Sequence, residues 1–275
     1  MTAEPRRAAV LGHPILHSRS PQLHLAAYRA LGLTGWTYER VDCTAEQLPT
    51  LVGRLGPEWV GLSVTMPGKE AALEFATERT ARAVLAGSAN TLVRYGSGWI
   101  ADCTDVDGVR GALVDGGAPD MHGRPVVVIG AGGTARPALL ALADLGATSV
   151  SVVARDAGRA QSAIELAFAL QLEARFVPFT APQVGEICAE AAAVVSTVPA
   201  AAVAPIADSV AHARFVLDAI YDPWPTPLAA AVIQAGGTVV SGLEMLLNQA
   251  YGQVEQFTGM PAPRAAMAAA LHGGS

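Results

Sequence analysis

The sequence predicts an α/β protein of two domains, on three observations. Strand-like and helix-like apolar patterns alternate along most of the chain, as they do where helices pack on sheets. A glycine-rich turn, Gly130-Ala-Gly132-Gly133, follows an apolar run and restarts that alternation. The chain has 275 residues, more than the usual single hydrophobic core holds. Hydrophobic residues at 51% and charged ones at 15% allow a large core and argue against disorder.

In chain order, Arg7–Leu11 reads as a buried strand running into Gly12. Pro21–Leu31 reads as a helix, with Ser20 as N-cap and Pro21 at the first helical position. Trp36–Val41 alternates as a strand. Ala45–Leu55 is helical, Trp59–Val64 is a third buried strand, and Glu70–Ala76 is helical again. Thr91–Arg94 and Trp99–Ala101 form a hairpin around Gly96-Ser-Gly98. Val106–Val114 is a helix that leads away from this unit, and Gly116-Gly-Ala-Pro119 is a turn. Strands are then expected at Val126–Ile129, Val150–Val153, Val194–Ser196, Phe215–Leu217 and Thr238–Val240. Helical stretches separate most of them, which implies a parallel sheet. Leu243–Phe257 and Ala262–Leu271 are helical. The expected domains are residues 1–105, joined by C-terminal helices within 242–275, and residues 106–241.

Gly130-Ala-Gly132-Gly133-Thr134-Ala135 follows a four-residue apolar strand and opens a helix. In that context the G-x-G-x-x-A pattern predicts a Rossmann-type dinucleotide-binding domain. Gly130 permits the tight turn, Gly132 lets backbone approach a pyrophosphate, and Ala135 lets the helix pack closely on the sheet. The next strand ends at Ala154, where an NAD site usually places an acid for the ribose hydroxyls. Arg155 follows, with Arg159 four residues on. Guanidinium groups suit a ribose 2′-phosphate in charge and fork geometry, so the expected cofactor is NADP. Asp156 works against that charge.

Lys69 and Asp105 are reactive charges in apolar settings. Lys69 follows a buried strand and a Thr-x-Pro loop, and Asp105 stands where a strand pattern gives way to a helix. Open α/β sheets bind ligands at strand ends, so this N-terminal unit is expected to be the substrate domain. An ammonium and a carboxylate close to a dinucleotide site suggest proton transfer coupled to hydride transfer. A protonated Lys69 can protonate a developing alkoxide, and alcohol oxidation needs its neutral amine, so oxidation should speed up as pH rises.

The chain resembles the shikimate dehydrogenase family over nearly its whole length. Gly12-His-Pro-Ile-Leu-His17-Ser18-Arg-Ser20-Pro21 is similar to that family's opening motif, and Gly61-Leu-Ser-Val-Thr65-Met-Pro67-Gly-Lys69 to its lysine loop. Ser88-Ala-Asn90-Thr91, Thr104-Asp105, Asp218-Ala-Ile-Tyr221 with Thr226-Pro-Leu228, and Gly242-Leu-Glu-Met245-Leu-Leu-Asn-Gln249 match in order. The resemblance implies NADPH-dependent, reversible reduction of 3-dehydroshikimate to shikimate, toward aromatic amino acids. It implies that Ser18 and Ser20 bind the substrate carboxylate and that Thr65, Asn90, Asp105 and Gln249 bind ring hydroxyls. Lys69 would be the acid–base group, paired with Asp105, and Tyr221 would lie near nicotinamide and substrate. The cofactor side would comprise Gly130, Gly132, Gly133, Thr134, Ala135, Arg155, Arg159, Thr197, Gly242 and Met245. Cys103, Ser63 and Leu25 stand where Asn is common in the family, and Ala154 replaces the usual Asn before Arg. Ser20 favours shikimate over quinate, whose users often carry Thr there. The competing readings are an NAD-linked quinate/shikimate dehydrogenase and a catalytically silent sensor of the same ligands.

A net charge of −6 argues against nucleic-acid or anionic-membrane partners, so a small-molecule substrate is expected. Cys43, Cys103 and Cys188 are scattered, which fits a reducing cytoplasm better than a disulfide framework. Met1–Arg7 lacks the apolar stretch of a signal peptide, and no apolar run is long enough for a membrane helix. His13, His17, His24, His122, His212 and His272 show no metal-ligand spacing, so no metal is expected. Trp59 and Trp99 are read as core. A monomer or homodimer is expected.

Overall fold

A computed structural model describes residues 5–273, so the first four residues of the Met1–Arg7 segment lie outside it. The chain divides into two compact units. One runs through Thr104 and resumes at Leu246, and the other is Asp105–Met245.

The first unit is built on β1 (Arg6–Gly12), α1 (Ser20–Ala30), β2 (Trp36–Asp42), α2 (Leu48–Gly53), β3 (Trp59–Val64), α3 (Lys69–Phe75), β4 (Glu78–Arg79), α4 (Ala81–Ala86), β5 (Thr91–Tyr95) and β6 (Gly98–Asp102). Its six-stranded sheet has the order β2-β1-β3-β5-β6-β4. β1, β2 and β3 are parallel, β5 runs antiparallel to both β3 and β6, and β4 is parallel to β6. The ends of β1, β3 and β6 therefore meet the start of β5 along one edge. Gly61 has no Cβ because the Phe257 ring lies where one would stand, about a bond length and a half away at 2.1 Å. Trp59 and Trp99 are buried, and each carries a guanidinium over its ring, Arg7 at 4.4 Å and Arg94 at 4.1 Å. Both indoles are core, as expected.

The second unit comprises α5 (Asp105–Asp115), β7 (Pro125–Ile129), α6 (Ala135–Asp144), β8 (Ser149–Ala154), α7 (Ala157–Ala169), β9 (Glu173–Pro178), α8 (Val184–Glu190), β10 (Val194–Ser196), α9 (Ala200–Val203), α10 (Ala207–Val210), β11 (Phe215–Asp218), α11 (Pro227–Gln234) and β12 (Thr238–Ser241). All six strands are parallel in the order β12-β11-β10-β7-β8-β9. Numbered within the unit this is 6-5-4-1-2-3, the doubly wound dinucleotide-binding order with its switch point between β7 and β10. Val127, Ile129, Val153, Val194 and Val216 are at most 3% exposed, as central parallel strands covered on both faces require. α12 (Gly242–Thr258) starts in this unit and continues in the first, followed by α13 (Arg264–His272).

The α/β, two-unit, Rossmann-type architecture read from the sequence is the one observed. Three local readings change. Ser20 is not an N-cap: Arg19 holds that position, Ser20 begins the helix, and no side chain caps it. Instead the Ser18 hydroxyl accepts from the Ser20 N–H at 3.3 Å. β9 was missed because an edge strand with half its residues facing water alternates weakly and ends in proline. β4 and α4 were missed because two and six residues carry little periodicity. Among the described residues, no helix is long and apolar enough to cross a membrane.

Candidate functional site

In the first unit, three loops converge at one sheet edge. After β1, Gly12 is pressed against the β3 loop, since a Cβ there would lie 2.4 Å from Thr65 Cγ2. His13 N–H donates to Met66 O at 3.0 Å, and Thr65 N–H to Leu11 O at 2.9 Å. These bonds hold the start of the loop that follows β1 against the Thr65–Lys69 turn. Arg40 holds the Ser18 carbonyl with two donors, Nε at 2.9 Å and Nη2 at 2.6 Å. Lys69 opens α3, and its carbonyl accepts from Ala89 N–H at 2.9 Å, which ties the lysine turn to the segment before β5.

Asn90, at the start of β5, is 3% exposed and fully oriented by its neighbours. Its Oδ1 accepts from Thr104 N–H at 2.7 Å and from the Thr91 hydroxyl at 3.0 Å. Its Nδ2 therefore faces Gln249 Oε1 at 2.9 Å and Thr104 Oγ1 at 3.0 Å. Gln249 Nε2 donates to Leu246 O at 3.1 Å within α12. The structure thus joins Asn90 to Gln249, which are 159 residues apart in sequence. Asp105 is 5% exposed and begins α5, directly after Thr104. Lys69 belongs to the first unit and Asp105 to the second.

Around the Asn90–Gln249 pair lies a buried polar layer that sequence reading did not assign. Tyr38, Ser63, Thr91, Thr104 and Gln253 are all at most 4% exposed. The visible signals were polar residues in otherwise apolar strands and the Gln249/Gln253 spacing, which puts both amides on one helix face. His24 is fully buried, stacked on Tyr38 at 4.0 Å, with Nδ1 bonded to Ser20 O at 2.9 Å. Burial lowers its pKa to about 4, against a smaller raising effect of the Ser20 bond. At the end of β6, Asp102 accepts from Thr80 and Arg82 Nε at 2.7 Å and from Gln256 at 2.8 Å, and pairs with Arg82 Nη2. Burial alone would raise its pKa, but those donors together hold it below the usual carboxylate range. Cys103 is buried at 0% exposure, a small packed residue.

The second unit offers bare backbone. Gly130 has φ +113°, and a Cβ there would meet Thr197 Oγ1 at 2.4 Å. The Thr197 hydroxyl donates to Ile129 O at 2.9 Å, so it braces the turn from the neighbouring strand end. By contrast, a Cβ on Gly132 or Gly133 would meet nothing within 4 Å. No side chain caps the start of α6 at Thr134, and Ala135 is buried against the sheet. Open space over glycine backbone at a helix N-terminus fits a pyrophosphate. Arg155 and Arg159 are exposed beyond the end of β8. Asp156 is turned to the helix: its Oδ1 accepts from Arg159 N–H at 2.8 Å and caps α7. That directs the carboxylate into the helix start and accounts for an acid between two arginines.

Gly242 and Met245 are buried. A Cβ on Gly242 would lie 2.1 Å from Ala219 O, so glycine there allows α12 to start beside the end of β11. Tyr221 is half-buried on a loop stapled by Asp218, which accepts from Thr226 Oγ1 at 2.6 Å and Ile220 N–H at 3.2 Å. Burial raises the Asp218 pKa, partly opposed by those two bonds.

Two family models match this chain, a shikimate dehydrogenase substrate binding domain over residues 10–92 and a shikimate 5′-dehydrogenase C-terminal domain over residues 242–272. A shikimate dehydrogenase (NADP(+)) of Shouchella clausii is 32% identical over 267 residues, covering 95% of this chain and 96% of that one. The crystal structure of Mycobacterium tuberculosis shikimate dehydrogenase is 58% identical, with a TM-score of 0.92, covering 98% of this chain and all of that one. A Thermus thermophilus shikimate 5-dehydrogenase, solved in complex with NADP(H) and shikimate, is 30% identical, with a TM-score of 0.80 and 97% and 98% coverage.

Proposed function

The chain belongs to the shikimate dehydrogenase family, and from that premise we propose how its residues divide the NADP-dependent interconversion of shikimate and 3-dehydroshikimate. The observation that carries the reading is at the strand ends of the first sheet, where the loop after β1 is bonded to the Thr65–Lys69 turn, that turn to the segment before β5, and Asn90 to Gln249. A polyhydroxylated ring acid needs hydroxyl donors for its carboxylate, amides for its ring hydroxyls and one group able to exchange a proton. The Ser18–Ser20 segment, the Asn90–Gln249 pair and the Thr65–Lys69 turn supply them in that order.

Ser18 and Ser20 bind the carboxylate, on a segment held from behind by the Arg40 guanidinium. That cation adds favourable potential for an anion on a protein whose net charge is −6. Thr65, Asn90 and Gln249 bind ring hydroxyls. Lys69 moves the proton at the carbinol oxygen. The Gly130–Ala135 loop would hold the NADP pyrophosphate, with Arg155 and Arg159 at the 2′-phosphate and Thr197, Tyr221, Gly242 and Met245 toward the nicotinamide. When bound, the cofactor supplies or takes the hydride.

The test is NADPH formation with shikimate at mildly alkaline pH, with NAD and quinate in parallel. Lys69→Ala should lower kcat by about a thousandfold, the scale of a lost general acid–base group. In the wild type, oxidation should rise from mildly acidic to alkaline pH. A flat profile, or a Lys69→Ala variant of near-normal rate, would remove Lys69 from the chemistry. Preference for NAD or quinate would move the protein to the other branch of its family.

A further inference from the structure

The buried layer behind the Asn90–Gln249 pair has a fixed polarity, and that polarity can be followed atom by atom. The Asn90 backbone carbonyl only accepts, so Gln253 turns Nε2 toward it at 3.1 Å, and the same nitrogen donates to Thr91 Oγ1 at 3.0 Å. Gln253 Oε1 then faces Ser63, whose hydroxyl donates to it at 2.7 Å. The Ser63 oxygen accepts from the Tyr38 hydroxyl at 2.6 Å. The Ser20 side chain also interacts with the Tyr38 hydroxyl, so this end of the layer touches the carboxylate-binding segment. At the other end Thr91, its oxygen accepting from Gln253, gives its proton to Asn90 Oδ1. Asn90 Oδ1 is thereby filled with donors, and its Nδ2 has to face Gln249.

We propose that Tyr38, Ser63 and Gln253 are positioning residues: they form a hydrogen-bond relay that sets the amide orientation of Asn90 and Gln249. The relay decides that Gln249, one of whose two N–H groups is held by Leu246 O, presents its remaining N–H donor, rather than its carbonyl, toward ring hydroxyl oxygens. It acts through Asn90 and Gln249 and touches no reacting atom. The physical case is that an amide has two nearly isosteric orientations, and only its partners choose between them. Every partner here is buried, so water cannot substitute for a missing one. As a statement about shikimate recognition, the proposal rests on the function proposed above.

Two readouts test it. The first is steady-state kinetics of Ser63→Ala and Ser63→Thr. Ser63→Ala removes the hydroxyl that joins Tyr38 to Gln253, and Ser63→Thr keeps a hydroxyl on a β-branched residue suited to the strand. Ser63→Ala should raise KM for shikimate about tenfold, the scale of one lost buried hydrogen bond. KM for NADP should stay within about twofold, and Ser63→Thr should restore the shikimate KM to about the same margin. The second readout needs no substrate. In ligand-free protein the side-chain amide protons of Asn90 and Gln249 should exchange about tenfold faster in Ser63→Ala. Tyr38→Phe, which removes one hydroxyl and keeps the ring stack, repeats both measurements if Ser63→Ala does not fold. Unchanged shikimate KM and unchanged exchange in a stable variant would overturn the relay. So would equal rises in both KM values with a lower Tm, the mark of a merely structural role. Wild-type protein that does not turn over shikimate would sink the functional reading alone, and the exchange measurement would still decide the relay.

Discussion

In the first unit the candidate site is made of side chains bonded to side chains: Asn90 to Gln249, Thr91 and Thr104, and Gln253 to Ser63. In the second it is made of backbone kept bare, with Gly132 and Gly133 open to space and two arginines exposed beyond a strand end. The difference matches what the proposed function asks of each half. A ring with several hydroxyls is told from its relatives by donor and acceptor placement, which needs oriented amides. A pyrophosphate needs close approach and N–H dipoles, which any sequence supplies once its Cβ atoms are gone. A relay of amides tolerates few changes of partner, and a glycine cradle tolerates few additions of atoms.

The sharpest break between the two halves lies inside the glycine loop itself. Gly130→Ala forces a Cβ into a left-handed position against Thr197, and should destabilise the protein by roughly 2–4 kcal/mol in urea unfolding. Gly132→Ala adds the same methyl to open space. It should leave Tm unchanged and raise KM for NADP about tenfold, as an atom placed where the phosphate approaches would. Equal loss of stability in both variants would show that the second glycine is also structural.

Acid should separate the units. His24 has a folded pKa of about 4 against an ordinary 6.5. The unfolded chain therefore takes up its proton first, so this contribution is whole above pH 6.5 and is lost as pH falls toward 4, up to roughly 3 kcal/mol. Asp102, held below the carboxylate range, extends the loss to lower pH: its stabilisation is present above its unfolded value and disappears as pH falls through the folded one. Asp218 in the second unit is shifted the other way. Its raised pKa costs stability as pH rises through that value, and acidification relieves the cost. Hydrogen exchange read by region at pH 7 and pH 5 should show protection falling in the first unit before the second. His24→Leu should flatten the first unit's dependence between pH 6.5 and 4. A slope unchanged by that substitution would assign the acid sensitivity elsewhere.

The smallest effect is expected at the cofactor's far end. Arg155→Ala and Arg159→Ala should each raise KM for NADP by about tenfold and leave KM for NAD nearly unchanged, since an exposed guanidinium loses one charge-assisted bond to phosphate. If both cofactors weaken equally, the arginines act as a general field and not at the 2′-phosphate.

This contrast also explains what was legible in the sequence. The second unit could be read from Gly130-Ala-Gly-Gly-Thr-Ala135 because backbone geometry writes itself as glycine at fixed spacing. The parallel sheet then followed from the alternation of apolar strands with helices, while its strand order and switch point came only with the fold. In the first unit Lys69, Asn90 and Gln249 were visible through their motifs. Tyr38 and Gln253 were not, since a tyrosine in a strand and a glutamine in a helix look ordinary until the fold brings Tyr38 to Ser63 across 25 residues and Gln253 to Ser63 and Asn90 across 190 and 163. In the sequence Ser63 stands out only as a departure from the family, and it is the fold that makes its hydroxyl the bridge between Tyr38 and Gln253. The Ser20 N-cap was misplaced because proline at the second helical position carries nearly the same local signal as proline at the first.

The interrupted path of the first unit has a consequence during synthesis. A ribosome releases Ser63, Asn90 and Thr91 long before it has made α12, whose Gln249 and Gln253 complete their hydrogen bonds. The nascent sheet β1–β6 must wait with unpaired polar groups in its interior, while Asp105–Met245, continuous in sequence, has every strand of its own sheet in hand. The order of assembly on the ribosome is therefore the reverse of the order of the code: the second unit closes first, and the first is finished by the segment translated last.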